Sequence, residues 1–483
     1  MLDQVLGAPS SCGVRNSKVV KISAKEVHSA LFAGSPCEYA SAFLSGQLDL
    51  ARALSCDLPA DPGALKAWGE HNHERITQAY ADYLSERKAG APRRYFSSVA
   101  HALYFIRGVA PTKLVDGAWL YSCLAQWQEN DFRPLIKTYV EELGEGAPAK
   151  NHVVLYQRLL DTHGITDWSD LAEAHFTQGA IQLALAHADR TALPELVGYN
   201  LGYEQLPLHL LITSYELNEL GIDPYYFTLH LTVDNASTGH AHDAIDAVMR
   251  LMQRAADPSD FYRRVRDGYR LNDLGESSTS VIQRFDLDKE VVRVLANKAK
   301  VGKHMHSDYC RVAGKTINDW LAEPAQIPQL LSEFERTGWI TRGEAPANSR
   351  FWRLIEGERA EMFGVFSPYE RQVMAAWISS APGLDNPAPA RIASFRSRSR
   401  ALEQVSDRAP PSRAPRQVIR QIYDEEKSQE LTGNDRLRAL EQDVAQAPSR
   451  AAAIALLLPH LSPTRHHTAV GLMATRLFTR IYA

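Results

Sequence analysis

The sequence is poor in the features that mark several large classes of protein. Its five cysteines (Cys12, Cys37, Cys56, Cys123 and Cys310) are odd in number and contain no CxxC pair. That argues against a disulfide scaffold, a zinc ribbon and a thioredoxin-like redox site. No apolar run reaches the roughly 18–20 residues of a membrane-spanning helix; the best, Ala451 to Leu458, stops at Pro459. An excess of one charge is also missing. Fifty-three Lys and Arg against 57 Asp and Glu leave a formal charge of −4, so no global grip on nucleic acid or anionic membrane is expected. Met1 to Cys12 has neither the basic cluster nor the apolar stretch of a secretory signal, and a reducing cytoplasm is the expected compartment. No repeat of 20–50 residues recurs. What is there is a globular balance of 45% apolar and 23% charged residues, in a chain long enough for several folded units.

The chain divides by composition. Residues 1–58 read as an N-terminal arm ending at the break Leu58-Pro-Ala-Asp-Pro-Gly63. Residues 59–256 carry apolar positions at three- and four-residue steps (Leu65, Trp68, Ile76, Tyr80, Tyr83) with little strand alternation, which predicts an all-α unit. Helices are expected near 64–87, 95–108, 112–127, 132–143, 151–162, 168–188, 193–220, 223–235 and 239–255, with Thr191 capping the seventh. Residues 257–380 read as a smaller α or α+β accessory region, in which Trp339–Thr341 and Phe351–Leu354 are expected to pair as a hairpin. Six prolines and the run Phe395-Arg-Ser-Arg-Ser-Arg400 make 381–415 a flexible linker. Residues 416–483 return to helical pattern as a tail. No candidate ligand lies beyond residue 380, so that part is expected to be dispensable for metal loading.

Three segments of the all-α unit supply Glu, Asp and His of the kind that hold metals between helices. In the first, Glu142 closes one helix and His152 opens the next behind a cap at Asn151, while Gly144, Gly146 and Pro148 break the chain between them. The second runs from Glu195 through Glu204 to His209 and Glu216. The third holds His230 and Asp234, then His240. Four residues turn a helix by about 400°, which puts His230 and Asp234 on one face, about 40° apart. Imidazole and carboxylate without thiolate suit iron or manganese. Taken singly, a Glu at a helix end is more often solvated, and a His between two leucines is more often a core residue. Two other clusters have bland readings as well. His304, His306 and Cys310 lack a second knuckle for zinc, and Trp339, Phe351 and Trp352 suit a small core.

The order Glu-Glu-x-Gly-x-Gly-x5-His (Glu141 to His152), Glu204, then His-x3-Asp (His230, Asp234) resembles the haem-oxygenase-like diiron oxidases and oxygenases, the iron-containing redox enzyme family. The block from Gly221 to Asn235 adds to the likeness, which covers about residues 65–255. The resemblance implies a haem-oxygenase-like helical bundle that holds two Fe(II)/Fe(III) ions and no haem. It also implies an iron- and dioxygen-dependent oxidoreductase acting on a small amino-acid-like or acyl substrate, in a biosynthetic pathway. Carried over by position, Glu142, His152, Glu204, His230 and Asp234 would be ligands. Family members usually carry a second histidine three residues after the aspartate; here that place is Ser237, and His240 would serve only through a bulge at Ser237-Thr-Gly239. His209 or Glu216 could complete the set instead. Tyr203, Tyr215, Tyr225 and Tyr226 are candidates for orienting the ligands.

The expected partners are a small-molecule substrate, dioxygen and an external reductant, with neither nucleic acid nor membrane, and a homodimer is compatible with the reading. Two rivals stand beside it. One is a metal-independent enzyme of thiaminase type, which would need Cys123 as nucleophile, the one cysteine inside the bundle. The other is a non-catalytic helical scaffold.

Overall fold

A computed structural model describes residues 22–35, 38–233, 239–357, 360–381 and 435–482. Asp234, Ser237, nearly all of the 381–415 linker and the first 21 residues of the arm therefore lie outside the described residues. What is described is almost entirely helical, as the periodicity predicts.

The arm contributes α1 (Ala24–Phe32) and α2 (Ala40–Ala51). The bundle follows with α3 (Leu65–Lys88), α4 (Val99–Lys113), a 3-10 run over Ala118–Gln126, α5 (Arg133–Glu142), α6 (His152–Thr162) and α7 (Glu173–Ala186). It continues through α8 (Leu193–Tyr203), α9 (Leu208–Leu220), α10 (Tyr225–Val233), α11 (His240–Arg254) and α12 (Pro258–Arg270). Local chemistry explains most of the ends. The Ser98 hydroxyl accepts from the His101 N–H to start α4, and the Asn151 amide accepts from the Val154 N–H to start α6. Asp257 caps α12 ahead of Pro258.

Three details of the bundle differ from expectation. The helix expected over 112–127 is instead the end of α4, a turn at Asp116-Gly117 and the 3-10 run. The single helix expected over 193–220 is two, because Pro207 has no N–H to continue the ladder; α8 stops with Glu204 as its C-cap and α9 begins at Leu208. Thr191 does not cap α8. Asp189 accepts from the Thr191 N–H and opens the short 3-10 turn ahead of it.

The accessory region holds α13 (Ser278–Gln283), α14 (Leu287–Gly302), α15 (Ile317–Ala322), α16 (Ile327–Arg336), α17 (Arg350–Ile355) and α18 (Pro368–Ser379). The hairpin expected there is wrong. Phe351–Leu354 lie within α17, whose apolar residues Phe351 and Ile355 share a helical face. The strand pair is instead Arg311–Val312 with Lys315–Thr316, joined by Ala313 and Gly314, both at positive φ as a two-residue hairpin turn requires.

Two apolar cores organise the described residues. One gathers α1, α2, α5, α7, α8, α11 and α12 with the C-terminal helices Arg450–Leu457 and Ala469–Tyr482; the other gathers α4, α6, α9 and α10 with the accessory helices. The tail thus shares a core with the bundle, where Leu457, Leu461, Ala474 and Phe478 are fully buried. Among the described residues no helix is long and apolar enough to cross a membrane.

One buried carboxylate has a purely structural task. Glu216 accepts from the Tyr83 hydroxyl at 2.8 Å and from the backbone N–H groups of Arg94, Tyr95 and Phe96 at 2.5–3.0 Å, tying the segment between α3 and α4 to α9. Replacing Glu216 with Ala should strand these donors and lower unfolding free energy by about 3 kcal/mol or more. Denaturant titration checks this; an unchanged midpoint would contradict it.

Candidate metal centre

The segment between α5 and α6 is built to fold back. Glu145 sits at φ 52°, with Gly144 and Gly146 on either side also at positive φ, so the chain reverses within a few residues. The reversal sets Glu142, the last residue of α5, against His152, the first of α6, with Glu142 Oε2 2.5 Å from His152 Nδ1. His152 Nδ1 also lies 3.6 Å from Asp116 Oδ2, yet it is hydrogen-bond aligned with neither carboxylate. A ring nitrogen facing the space between two carboxylates is placed as a ligand to a shared cation would be.

Asp116 has no counterpart in the sequence reading. It stands in the turn after α4, followed by Gly117 at φ 79°, where a Cβ would come within 2.8 Å of Glu142 Cβ. Only glycine lets the turn approach α5 so closely. Both oxygens of Asp116 are held. Tyr203 donates to Oδ1 at 2.7 Å and Tyr226 to Oδ2 at 2.6 Å, while His230 Nε2 lies 3.1 Å from Oδ2. Lys113, one turn back, donates to the Tyr203 hydroxyl at 2.9 Å and lies 3.8 Å from Asp116 Oδ1. Burial alone would raise the Asp116 pKa, but Lys113, His152 and His230 outweigh it and hold the carboxyl well below the usual range.

Among the described residues two groups of donors result, each within 4.8 Å: Asp116, Glu142, His152 and His230 in one, and Glu142, Glu204 and His240 in the other. All six residues are buried, and Glu142 belongs to both groups. Its Oε2 faces His152, and its Oε1 lies 3.5 Å from His240 Nδ1. Glu204 Oε2 lies 3.2 Å from the same His240 nitrogen. Of the residues expected at the site, the fold therefore assembles Glu142, His152, Glu204, His230 and His240, and adds Asp116. Asp234 lies outside the described residues.

The outer nitrogens of two histidines are occupied in the way that orients metal ligands. His230 Nδ1 donates to the Tyr226 carbonyl at 2.9 Å, which turns Nε2 inward. His240 Nε2 donates to Glu141 at 3.0 Å, which leaves Nδ1 for the cluster. His240 is the first residue of α11 and is 1% exposed, whereas His242 is exposed. The alternatives fall away. Glu216 is engaged as described above, and His209 is in neither group; burial and the nearby Lys113 ammonium push its imidazole down to about 4. Of the four tyrosines, Tyr203 and Tyr226 hold Asp116, while Tyr225 is exposed and Tyr215 packs on Tyr83. His304, His306 and Cys310 form no donor group among the described residues. Cys123 is 2% exposed, and burial pushes its thiol up to about 12, which is unsuited to a nucleophile.

The donor set fits a pair of hard to intermediate cations. It consists of carboxylate oxygens and imidazoles, contains no thiolate, and has one carboxylate with an oxygen toward each group. A cleft of about 270 Å³ lies between α3 and α11, lined by residues that include Gln205, Ala241 and His242; none of the six donors is in its lining. Ile245 and Met249 make part of its wall apolar, and Lys66 and Glu70 supply opposite charges.

Comparison with known proteins agrees with this geometry. Residues 103–273 match the model of the family described as iron-containing redox enzyme, in the haem-oxygenase-like superfamily. The matched segment is about a third of the chain and contains every residue of the two donor groups. No curated protein and no solved structure matches the chain.

In protein prepared without metal, burial disfavours the His152 imidazolium, but Glu142 and Asp116 outweigh burial and raise its pKa to about 10. The folded value exceeds the unfolded value of about 6.5, so this pairing stabilises fully below about pH 6.5 and is lost as pH rises toward 10. A metal must displace that proton. Ferrous iron added anaerobically near pH 7.5 in weak buffer should release about one proton per chain from this ring, and binding should tighten as pH rises. Uptake without proton release would contradict this.

Proposed function

We propose that the protein is a non-haem diiron oxidase or oxygenase that uses dioxygen to oxidise a small amino-acid-like or acyl substrate in a biosynthetic pathway. The observation that carries the reading is the position of Glu142, one buried carboxylate with an oxygen toward each of two donor groups. Asp116, His152 and His230 would hold one iron, Glu204 and His240 the other, and Glu142 would span both.

Bound there, two ferrous ions would supply the reducing electrons that make dioxygen a usable oxidant, as the hard carboxylates favour their ferric state. The rest of the work falls to the chain. Asp116 stays ionised because Tyr203, Tyr226 and Lys113 stabilise its charge. The Tyr226 carbonyl and Glu141 fix the facing nitrogens of His230 and His240, so little reorganisation is needed when metal enters. The two apolar cores shield the donors from bulk water. An external reductant would restore the ferrous state, and the cytoplasm is the compartment this reading favours.

Anaerobic titration with ferrous iron, followed by air, tests the proposal. Wild type should bind about two irons per chain and consume oxygen on exposure. Glu142→Ala should lose both irons, because each group loses a charged donor, whereas Glu204→Ala should retain about one. Wild-type protein that binds no iron, or a Glu142→Ala variant that loads fully, would overturn it.

A further inference from the structure

The tail of the chain, outside the segment that matches the family, reaches the turn that joins Glu142 to His152. Three contacts make the connection. Gly146 lies against the C-terminal helix so closely that a Cβ would come within 2.3 Å of the Leu472 carbonyl oxygen, and its own carbonyl accepts from Arg476 Nε at 2.9 Å. The Tyr139 hydroxyl, one turn before Glu142, donates to the Leu461 carbonyl at 2.5 Å. His466 Nδ1 lies 3.1 Å from Asn151 Nδ2.

The last contact bears directly on the site. Asn151 is fully buried, and every polar capacity of its side chain is directed: Oδ1 accepts from Val154 N–H, and Nδ2 donates to the Leu143 carbonyl and to His466 Nδ1. Two N–H bonds on Nδ2 match two acceptors, so His466 accepts at Nδ1. A neutral ring is what this needs, and burial, with help from His467 and His152, keeps the imidazole neutral. The Asn151 side chain thereby bridges the end of α5 at Leu143, the start of α6 at Val154 and the tail at His466. Glu142 is the immediate neighbour of Leu143, and His152 is the immediate neighbour of Asn151 itself.

We infer that the tail is a clamp for the metal centre, and that His466 is a positioning residue that sets the Glu142–His152 separation by fixing the amide of Asn151. The inference rests on the metal reading above and extends it to residues with no ligand among them. It also runs against the expectation that everything after residue 380 is dispensable for metal loading. Loss of the clamp leaves all six donors in the chain but relaxes the turn that sets two of them. Losing a partner bonded directly to a ligand typically weakens metal binding by roughly 10–100-fold, and His466, acting one residue further out, is placed near the lower end of that range.

The test uses the full chain. Ferrous-iron affinity is measured anaerobically for His466→Leu, for His466→Asn, whose short amide can offer an acceptor near the Nδ1 position, and for Phe478→Leu. Phe478 is fully buried on the same helix, about 200° around it from Arg476, and controls for general loosening. The expected result is about tenfold or greater loss for His466→Leu, substantial recovery in His466→Asn, and near wild-type affinity with a lower melting temperature for Phe478→Leu. Should His466→Leu fail to fold, Arg476→Met, which removes the bond to Gly146, carries the same expectation. Wild-type affinity in His466→Leu, or equal losses in His466→Leu and Phe478→Leu, would overturn the clamp. If wild type takes up no iron, the metal reading fails on its own account. Hydrogen exchange at the Val154 amide then still decides the clamp, which requires faster exchange in His466→Leu than in Phe478→Leu.

Discussion

Three carboxylates, Asp116, Glu142 and Glu204, lie inside this protein with at most 4% of their surface exposed. Two such charges about 4 Å apart repel by about 4 kcal/mol at the effective dielectric of a protein site, before the cost of removing each from water. The cluster is tolerable only with positive charge among it. Lys113 and the His152 ring answer part of that demand, and two divalent cations would answer the remainder. Tyr203 and Tyr226 are read in the same way: their hydroxyls replace the water that Asp116 has lost.

The fold gathers these charges along the seam between its two apolar cores. Glu142, Glu204 and His240 come from helices of the first core, His152 and His230 from helices of the second, and Asp116 stands in the turn where α4 passes from one to the other. A site on such a seam depends on how the two halves meet. This explains why close backbone approaches fall beside it, at Gly117 against α5 and at Gly146 against the C-terminal helix. It also explains why segments remote in sequence bear on the centre although they contribute no donor.

Much of the site was legible because local rules govern it. Gly144, Gly146 and Pro148 announce a reversal between Glu142 and His152, and His230 lies on a helix whose limits Pro224 helps to set. Asp116 was hidden for an equally local reason. It falls within a stretch expected to be continuous helix over 112–127, with no histidine at helical spacing to draw attention. The available signal was the pair Asp116-Gly117 in an otherwise apolar run, a turn signature that the structure uses as one. The break at Pro207 was likewise readable, whereas the hairpin expected from Trp339 and Phe351 mistook a short helix for a strand. Contacts such as Asn151 with His466, more than 300 positions apart, leave no trace in periodicity or capping.

The account depends most on Glu142 lying between two metals. Diffraction from crystals soaked anaerobically in ferrous iron, collected at the iron absorption edge, tests this directly. Two anomalous peaks are predicted, one among Asp116, His152 and His230 and one between Glu204 and His240, with the Glu142 carboxylate joining them. A single peak, or peaks away from Glu142, would contradict it.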